Sequence, residues 1–130
     1  MTPAEIIKTL NMSPHPEGGW YAETWRSDVG ERPSGSCIYF LLEADQRSHW
    51  HRVDAAEIWH WYAGLPMELH IHEDETRIEI LGPDLAAGQR PQLVVPAHAW
   101  QASVPVNGWV LVGCTVSPAF QFENFELESG

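Results

Sequence analysis

Residues 48–64 run Ser48-His49-Trp50-His51-Arg52-Val53-Asp54-Ala55-Ala56-Glu57-Ile58-Trp59-His60-Trp61-Tyr62-Ala63-Gly64, and the fold turns on how they divide. Two runs rich in aromatic and branched residues, 49–53 and 57–62, read as strands, and Val53-Asp54-Ala55 reads as a turn that returns the chain antiparallel. On a strand, residues two apart share a face. His49 and His51 then aim their imidazoles at one point while Trp50 faces away, and Glu57 comes across from them. Glu57, Trp59 and Trp61 share one face; Ile58, His60 and Tyr62 share the other. Two imidazoles and a carboxylate form a face that suits Fe(II), Mn or Zn and leaves positions open for substrate. The plain alternative is a pair of exposed strand histidines and a solvated acid.

The same punctuation extends outward. Further strands are predicted over 20–26, 36–42, 68–72, 76–81, 92–95, 101–103, 109–116 and 121–127. They are separated by HPEGG at 15–19, GERPSG at 30–35, AGLP at 63–66, HEDE at 72–75, GPDLAAGQRP at 82–91, PVNG at 105–108 and SPAF at 117–120. Many short strands and no second helical pattern point to an all-β sandwich or small barrel. The one helical pattern lies over 2–11, with Thr2 as N-cap, Pro3 in the first turn, Glu5 completing a capping box, and Ile6, Ile7 and Leu10 on one face. So short a helix needs a surface to dock on, as a lid or an oligomer contact.

Composition narrows the function. The 130 residues amount to one domain, and 44% of them are hydrophobic, enough for a core without staples. Seven Lys and Arg against 18 Asp and Glu give a net charge of −11, which repels phosphate backbones and anionic lipid, so nucleic-acid and membrane partners are not expected. No apolar run spans a bilayer and no export signal is read at the N-terminus. Cys37 and Cys114 lie in apolar runs and read as reduced thiols of a cytoplasmic protein. Seven Trp and seven His in so short a chain hint at a lined pocket.

Candidates for that pocket follow from side-chain chemistry. Gln92 and Gln101 offer both a donor and an acceptor to a polar ligand, Gln101 reading equally as a structural amide. Trp20 and Trp100 read equally as ring-stacking walls or core, and Trp59 shares the face of Glu57. Tyr39 and Arg26 are further candidates, Arg26 either clamping an anion or pairing with Glu23 or Asp28. Glu68, His70 and His72 alternate with Leu69 and Ile71 as a solvated face, and His60 reads as packing between sheets or at a dimer contact. There is no G-x-S-x-G, P-loop or C-x-x-C.

His49, His51, Glu57 and Gly64 resemble the first motif of the cupin superfamily, G-x5-H-x-H-x3,4-E-x6-G, with the E-x6-G spacing intact, one residue too many before Glu57 and no leading Gly. The second motif, G-x5-P-x-G-x2-H-x3-N, falls on 88–101, where Pro96 matches, His98 occupies the Gly position and Gln101 stands where the fourth metal ligand is a histidine. More widely the chain resembles the cupin-5 family, domain of unknown function 985, through HPEGGWYAETWRS at 15–27, SCIYFLL at 36–42, residues 48–64, LGPDLAAGQRPQLVVPAHAWQAS at 81–103 and VGCTVSPAFQFENFEL at 112–127. The resemblance implies one cupin domain over 1–130: a short N-terminal helix within 1–12 and, over 13–130, a double-stranded β-helix, or jelly-roll barrel, that dimerises and encloses a ligand pocket.

Three functions are consistent with these residues. In the first, a metal-free isomerase, epimerase or lyase acts on a small polar, carbohydrate-like substrate; His51 moves a proton and Glu57 tunes its basicity, with Trp20, Tyr39, Trp59, Gln92, Trp100 and Gln101 contacting the ligand. In the second, His49, His51, Glu57 and the Gln101 amide hold a divalent ion, Zn, Fe, Mn or Ni. The third is a binding or storage module without catalysis.

Overall fold

The computed structural model describes residues 1–128. Thr2 accepts the Glu5 N–H while the Glu5 carboxylate returns to the Thr2 backbone, and this capping box starts α1 (Pro3–Thr9). Eleven strands follow: β1 (Ser13–Pro14), β2 (Trp20–Arg26), β3 (Ser36–Leu42), β4 (Ser48–Val53), β5 (Ala56–Gly64), β6 (Met67–His72), β7 (Thr76–Leu81), β8 (Gln92–Val95), β9 (Trp100–Pro105), β10 (Val110–Ser117) and β11 (Phe125–Leu127). The strand expected over 121–127 is shorter, because Phe122–Asn124 form a 3-10 turn before β11.

The strands form two antiparallel sheets, one in the order β1-β2-β3-β10-β5-β8 and one in the order β11-β4-β9-β6-β7. Their inner faces meet in a core that includes Phe40, Leu42, Trp59, Leu69, Ile71, Val110 and Val112. Each aliphatic or aromatic side chain so enclosed contributes about 1.5–3 kcal/mol, and alternation along the strands supplies them from both sheets. This is the jelly roll that the strand spacing and the family resemblance imply.

α1 covers only part of the outer face of the six-stranded sheet. Its Ile6, with Met12, packs on Leu41 and is flanked by Trp20, Tyr39 and Trp109. The helix therefore docks on the outside of the barrel.

A bulge in β4 changes the expected parity. Ser48 pairs with Ser103 and His51 with Gln101, so β4 spends one more residue than β9 between the two pairs. Ser48 and His51 are both buried, while His49 is turned outward and exposed. Its backbone N–H, released from the ladder, donates to the Glu17 carbonyl at 2.7 Å. The two imidazoles expected on one face are thus separated, and His49 is absent from the interior.

Candidate functional site

At the open end of the barrel lies a cavity of about 220 Å³. His51 of β4 and Glu57 of β5 reach it from opposite sheets, and Glu17 reaches it from the loop between β1 and β2. That loop is the HPEGG segment. Gly18 and Gly19 have φ of 109° and 77°, and a Cβ at Gly18 would collide with the Arg47 carbonyl. Only glycine lets the loop fold this close to the barrel and turn Glu17 inward.

His51 Nδ1 lies 2.7 Å from the His49 carbonyl and 2.8 Å from Glu17 Oε2. Both neighbours are acceptors, so Nδ1 carries a hydrogen and Nε2 is left as the nitrogen that exchanges a proton with a ligand. Burial by itself would lower the His51 pKa. The charge of Glu17 and its close contact with Nδ1, then Glu57 and the His49 carbonyl, outweigh it and push His51 up to about 9. The raised pKa favours the imidazolium, the form of the ring that can give a proton to a ligand.

Glu57 is held from behind. Trp59 donates its indole N–H to Gln101 Oε1 at 2.9 Å, and Gln101 Nε2 donates to Glu57 Oε1 at 2.8 Å. Burial pushes the Glu57 carboxyl above the usual carboxylate range; His51 opposes that, and Glu17 adds to it. Cys114 lines the same wall, where burial and the neighbouring Glu57 raise its thiol well above the ordinary value. It remains a thiol and a weak donor toward Glu57.

The walls are aromatic. The buried ring of His15 stands 4.6 Å from Tyr21, with Phe120 and Phe122 at 6.2 and 6.0 Å. Burial lowers the His15 pKa, and its Nδ1 accepts the Glu17 N–H at 3.1 Å, so this imidazole is neutral. Phe120 and Phe122 belong to the segment after β10, which Arg32 secures by donating to the Ala119 carbonyl while forming a two-pronged pair with Asp54 at 2.8 Å. At the rim, Arg26 donates to both Glu23 oxygens, at 3.0 and 2.8 Å, and to the Phe120 carbonyl at 2.8 Å. Arg26 takes the Glu23 pairing, one of the two that the sequence left open.

Of the residues singled out from sequence, His51 and Glu57 meet in the cavity, with Gln101 and Trp59 directly behind them. The others lie elsewhere. Trp20 packs beneath α1. Tyr39 is on the outer face of the six-stranded sheet against Tyr62, and Gln92 is on that face with its amide 3.4 Å from His60 Nδ1. Trp100 faces outward from the five-stranded sheet beneath the Arg52 guanidinium, 4.7 Å from its ring centroid. In each case strand parity, with its pairing, sends the side chain away from the barrel interior. The residues that sequence reasoning missed are Glu17 and His15, hidden in a segment read only as a turn, and Phe120 and Phe122.

The donor set does not fit a metal ion. His49 is outside, and the Gln101 oxygen is committed to Trp59 while its amino group faces Glu57. Among the described residues no group of three His, Cys, Asp or Glu side chains is arranged to hold an ion.

Comparison with known proteins accords with this architecture. Residues 4–128 match the family described as Cupin superfamily (DUF985). The solved structure of protein SO0799 from Shewanella oneidensis is 41% identical, with a TM-score of 0.95 over 99% of this chain and 85% of that one. A hypothetical protein from Leishmania major is 32% identical, with a TM-score of 0.92 over 99% of this chain and 88% of its own. Oxalate decarboxylase from Bacillus subtilis, a protein with Mn(II) centres, is 10% identical, with a TM-score of 0.69 over 88% of this chain and 29% of that enzyme, a likeness of fold alone. No curated protein matches the chain.

Proposed function

The chain belongs to the Cupin_5 family (DUF985) of the cupin superfamily, and from that footing we propose that it is a metal-free proton-transfer enzyme, an isomerase or epimerase of a small polar carbonyl compound. The observation that carries this reading is the pairing, in one enclosed cavity, of a carboxyl raised by burial with an imidazole raised to about 9. Such a pair supplies a base and an acid at the same pH.

In this mechanism Glu57 takes the proton from the carbon next to the substrate carbonyl. His51 Nε2–H gives its proton to the carbonyl oxygen, and an enediol forms. Glu57 then gives its proton to the former carbonyl carbon while the neighbouring hydroxyl returns one to His51 Nε2, which isomerises the substrate. When the enediol first turns over in the cavity, Glu57 re-protonates the original carbon on its other face and epimerises it. Glu17 keeps His51 charged between turnovers, and the Trp59–Gln101 relay holds Glu57 in place. The Phe120 and Phe122 walls limit water at the reacting carbon.

The test is carbon–hydrogen exchange in D2O, read by NMR over a panel of aldoses, ketoses and hydroxy-ketones. Exchange next to the carbonyl is expected for the wild type and is expected to fall at least 100-fold in Glu57→Gln and in His51→Asn. Absence of exchange across the panel, with a ligand retained tightly in the cavity, would turn the reading to a binding module.

We also propose that the protein is a homodimer joined through the outer face of the six-stranded sheet. The side chains Tyr39, His60, Tyr62 and Thr115 on that face include no carboxylate, whereas the chain carries a charge of −11. Two such chains repel one another least across that face. Tyr62→Lys is expected to give a monomer in light scattering while the wild type gives a dimer; a monomeric wild type ends this proposal.

A further inference from the structure

The Glu17 side chain is 7% exposed, and its Oε2 accepts no hydrogen bond although it lines the cavity. Its neighbour at 2.8 Å, His51 Nδ1, has a single hydrogen between two acceptors, Glu17 and the His49 carbonyl, so the contact compensates the charge of Glu17 and leaves lone pairs of its oxygen unfilled. A buried oxygen in that condition calls for a donor from elsewhere.

The charges around it are unequal. Arg26 is consumed by Glu23 at the rim, and the single imidazolium of His51 faces two carboxylates, Glu17 and Glu57. Glu57 receives its hydrogen bonds from neutral groups, Gln101 and Cys114. These two carboxyls share one imidazole in an enclosed space whose sides are the rings of Tyr21, Phe120 and Phe122. Aromatic faces attract cations.

We propose that the cavity recognises a small organic ammonium, a primary or secondary amine that also bears a carbonyl, seated with its N–H on Glu17 Oε2 and against the Phe122 ring. This deepens the acid–base reading of the same site by naming its substrate class. The ammonium occupies Glu17, which leaves Glu57 free to act on the adjacent C–H, and a positive nitrogen next to that carbon makes its proton easier to remove.

The experiment is calorimetric binding of 2-aminoethanol, ethane-1,2-diol and tetramethylammonium to the full chain. The amine is expected to bind at least tenfold more tightly than the diol, and tetramethylammonium, which has the charge but no N–H, to fall between them. Glu17→Gln should erase the preference for the amine. Phe122 is half exposed, so Phe122→Leu retains the fold; it should weaken the amine several-fold and leave the diol unchanged, which keeps the test decisive if Glu17→Gln fails to fold. Equal binding of amine and diol, or an amine affinity untouched by Phe122→Leu, overturns the proposal. Its failure is distinct from failure of the catalytic reading: neutral sugars that exchange deuterium without amine preference defeat the ammonium alone, and an amino-ketone that binds without exchange defeats only the chemistry.

Discussion

The Trp59 indole N–H donates to Gln101 Oε1 at 2.9 Å, and that bond decides which end of the amide meets Glu57. An indole nitrogen can only donate, so the Gln101 oxygen turns to Trp59 and the amino group to the carboxylate. Gln101→Leu leaves both Trp59 and Glu57 short of a partner in a buried setting. We expect a loss of about 1–3 kcal/mol in denaturant unfolding and an acid limb of activity displaced to higher pH. An unchanged acid limb would separate Gln101 from Glu57.

Glu17→Gln is expected to return the His51 pKa from about 9 toward its ordinary value near 6.5, read by NMR titration of the imidazole. The folded wild type binds this proton more tightly than the unfolded chain does. The resulting stabilisation is complete below about 6.5 and is lost as pH rises through about 9. Thermal melts of the wild type should therefore decline across that window while those of Glu17→Gln stay flatter.

Activity should follow a bell with its upper limb near pH 9, where the His51 imidazolium loses its proton, and a lower limb above the ordinary carboxylate range, where Glu57 gains one. A lower limb at the ordinary value for an exposed glutamate would show that Glu57 is not the base.

His98 adopts φ of 70° where the cupin motif has glycine, and its N–H donates to the Val53 carbonyl at 2.8 Å. The left-handed region costs a residue with a Cβ about 1–2 kcal/mol, part of which glycine gives back through its freer unfolded chain. His98→Gly should hold or raise the melting temperature. Gly64, at φ of 90° with Trp109 against it, should tolerate no side chain, and Gly64→Ala should lower it.

Zinc or manganese titrated into the wild type and into His49→Ala should give the same weak uptake, because His49 is exposed on the outside of the bulge. A stoichiometric ion lost specifically in His49→Ala would require β4 to be rebuilt.

The strands β4 and β5 and the inward aim of His51 and Glu57 are legible in sequence, because alternation and a short turn are local properties; that the turn carries the chain from one sheet to the other, rather than into an antiparallel pair, is not. Nor is the outward turn of His49: it depends on pairing between β4 and β9 and on a carbonyl from the distant loop at Glu17. Glu17 itself was masked by its setting. His-Pro-Glu-Gly-Gly has the composition of any turn, and what marks it as a site is a pair of adjacent glycines beside an acid and a histidine. Trp20, Tyr39, Gln92 and Trp100 were chosen by side-chain type, and in an eleven-stranded fold type says nothing about which of two faces a residue takes.

Phe120 and Phe122, which wall the cavity, follow in the chain every strand that carries His51, Glu57 or Gln101. During synthesis the acid and the base therefore emerge first and stand in bulk water. The aromatic cover on that side of the cavity arrives only with the segment after β10. Glu17, which raises His51, lies near the other end of the chain, so the charges of the site are laid down early in synthesis and the rings that shelter them come last.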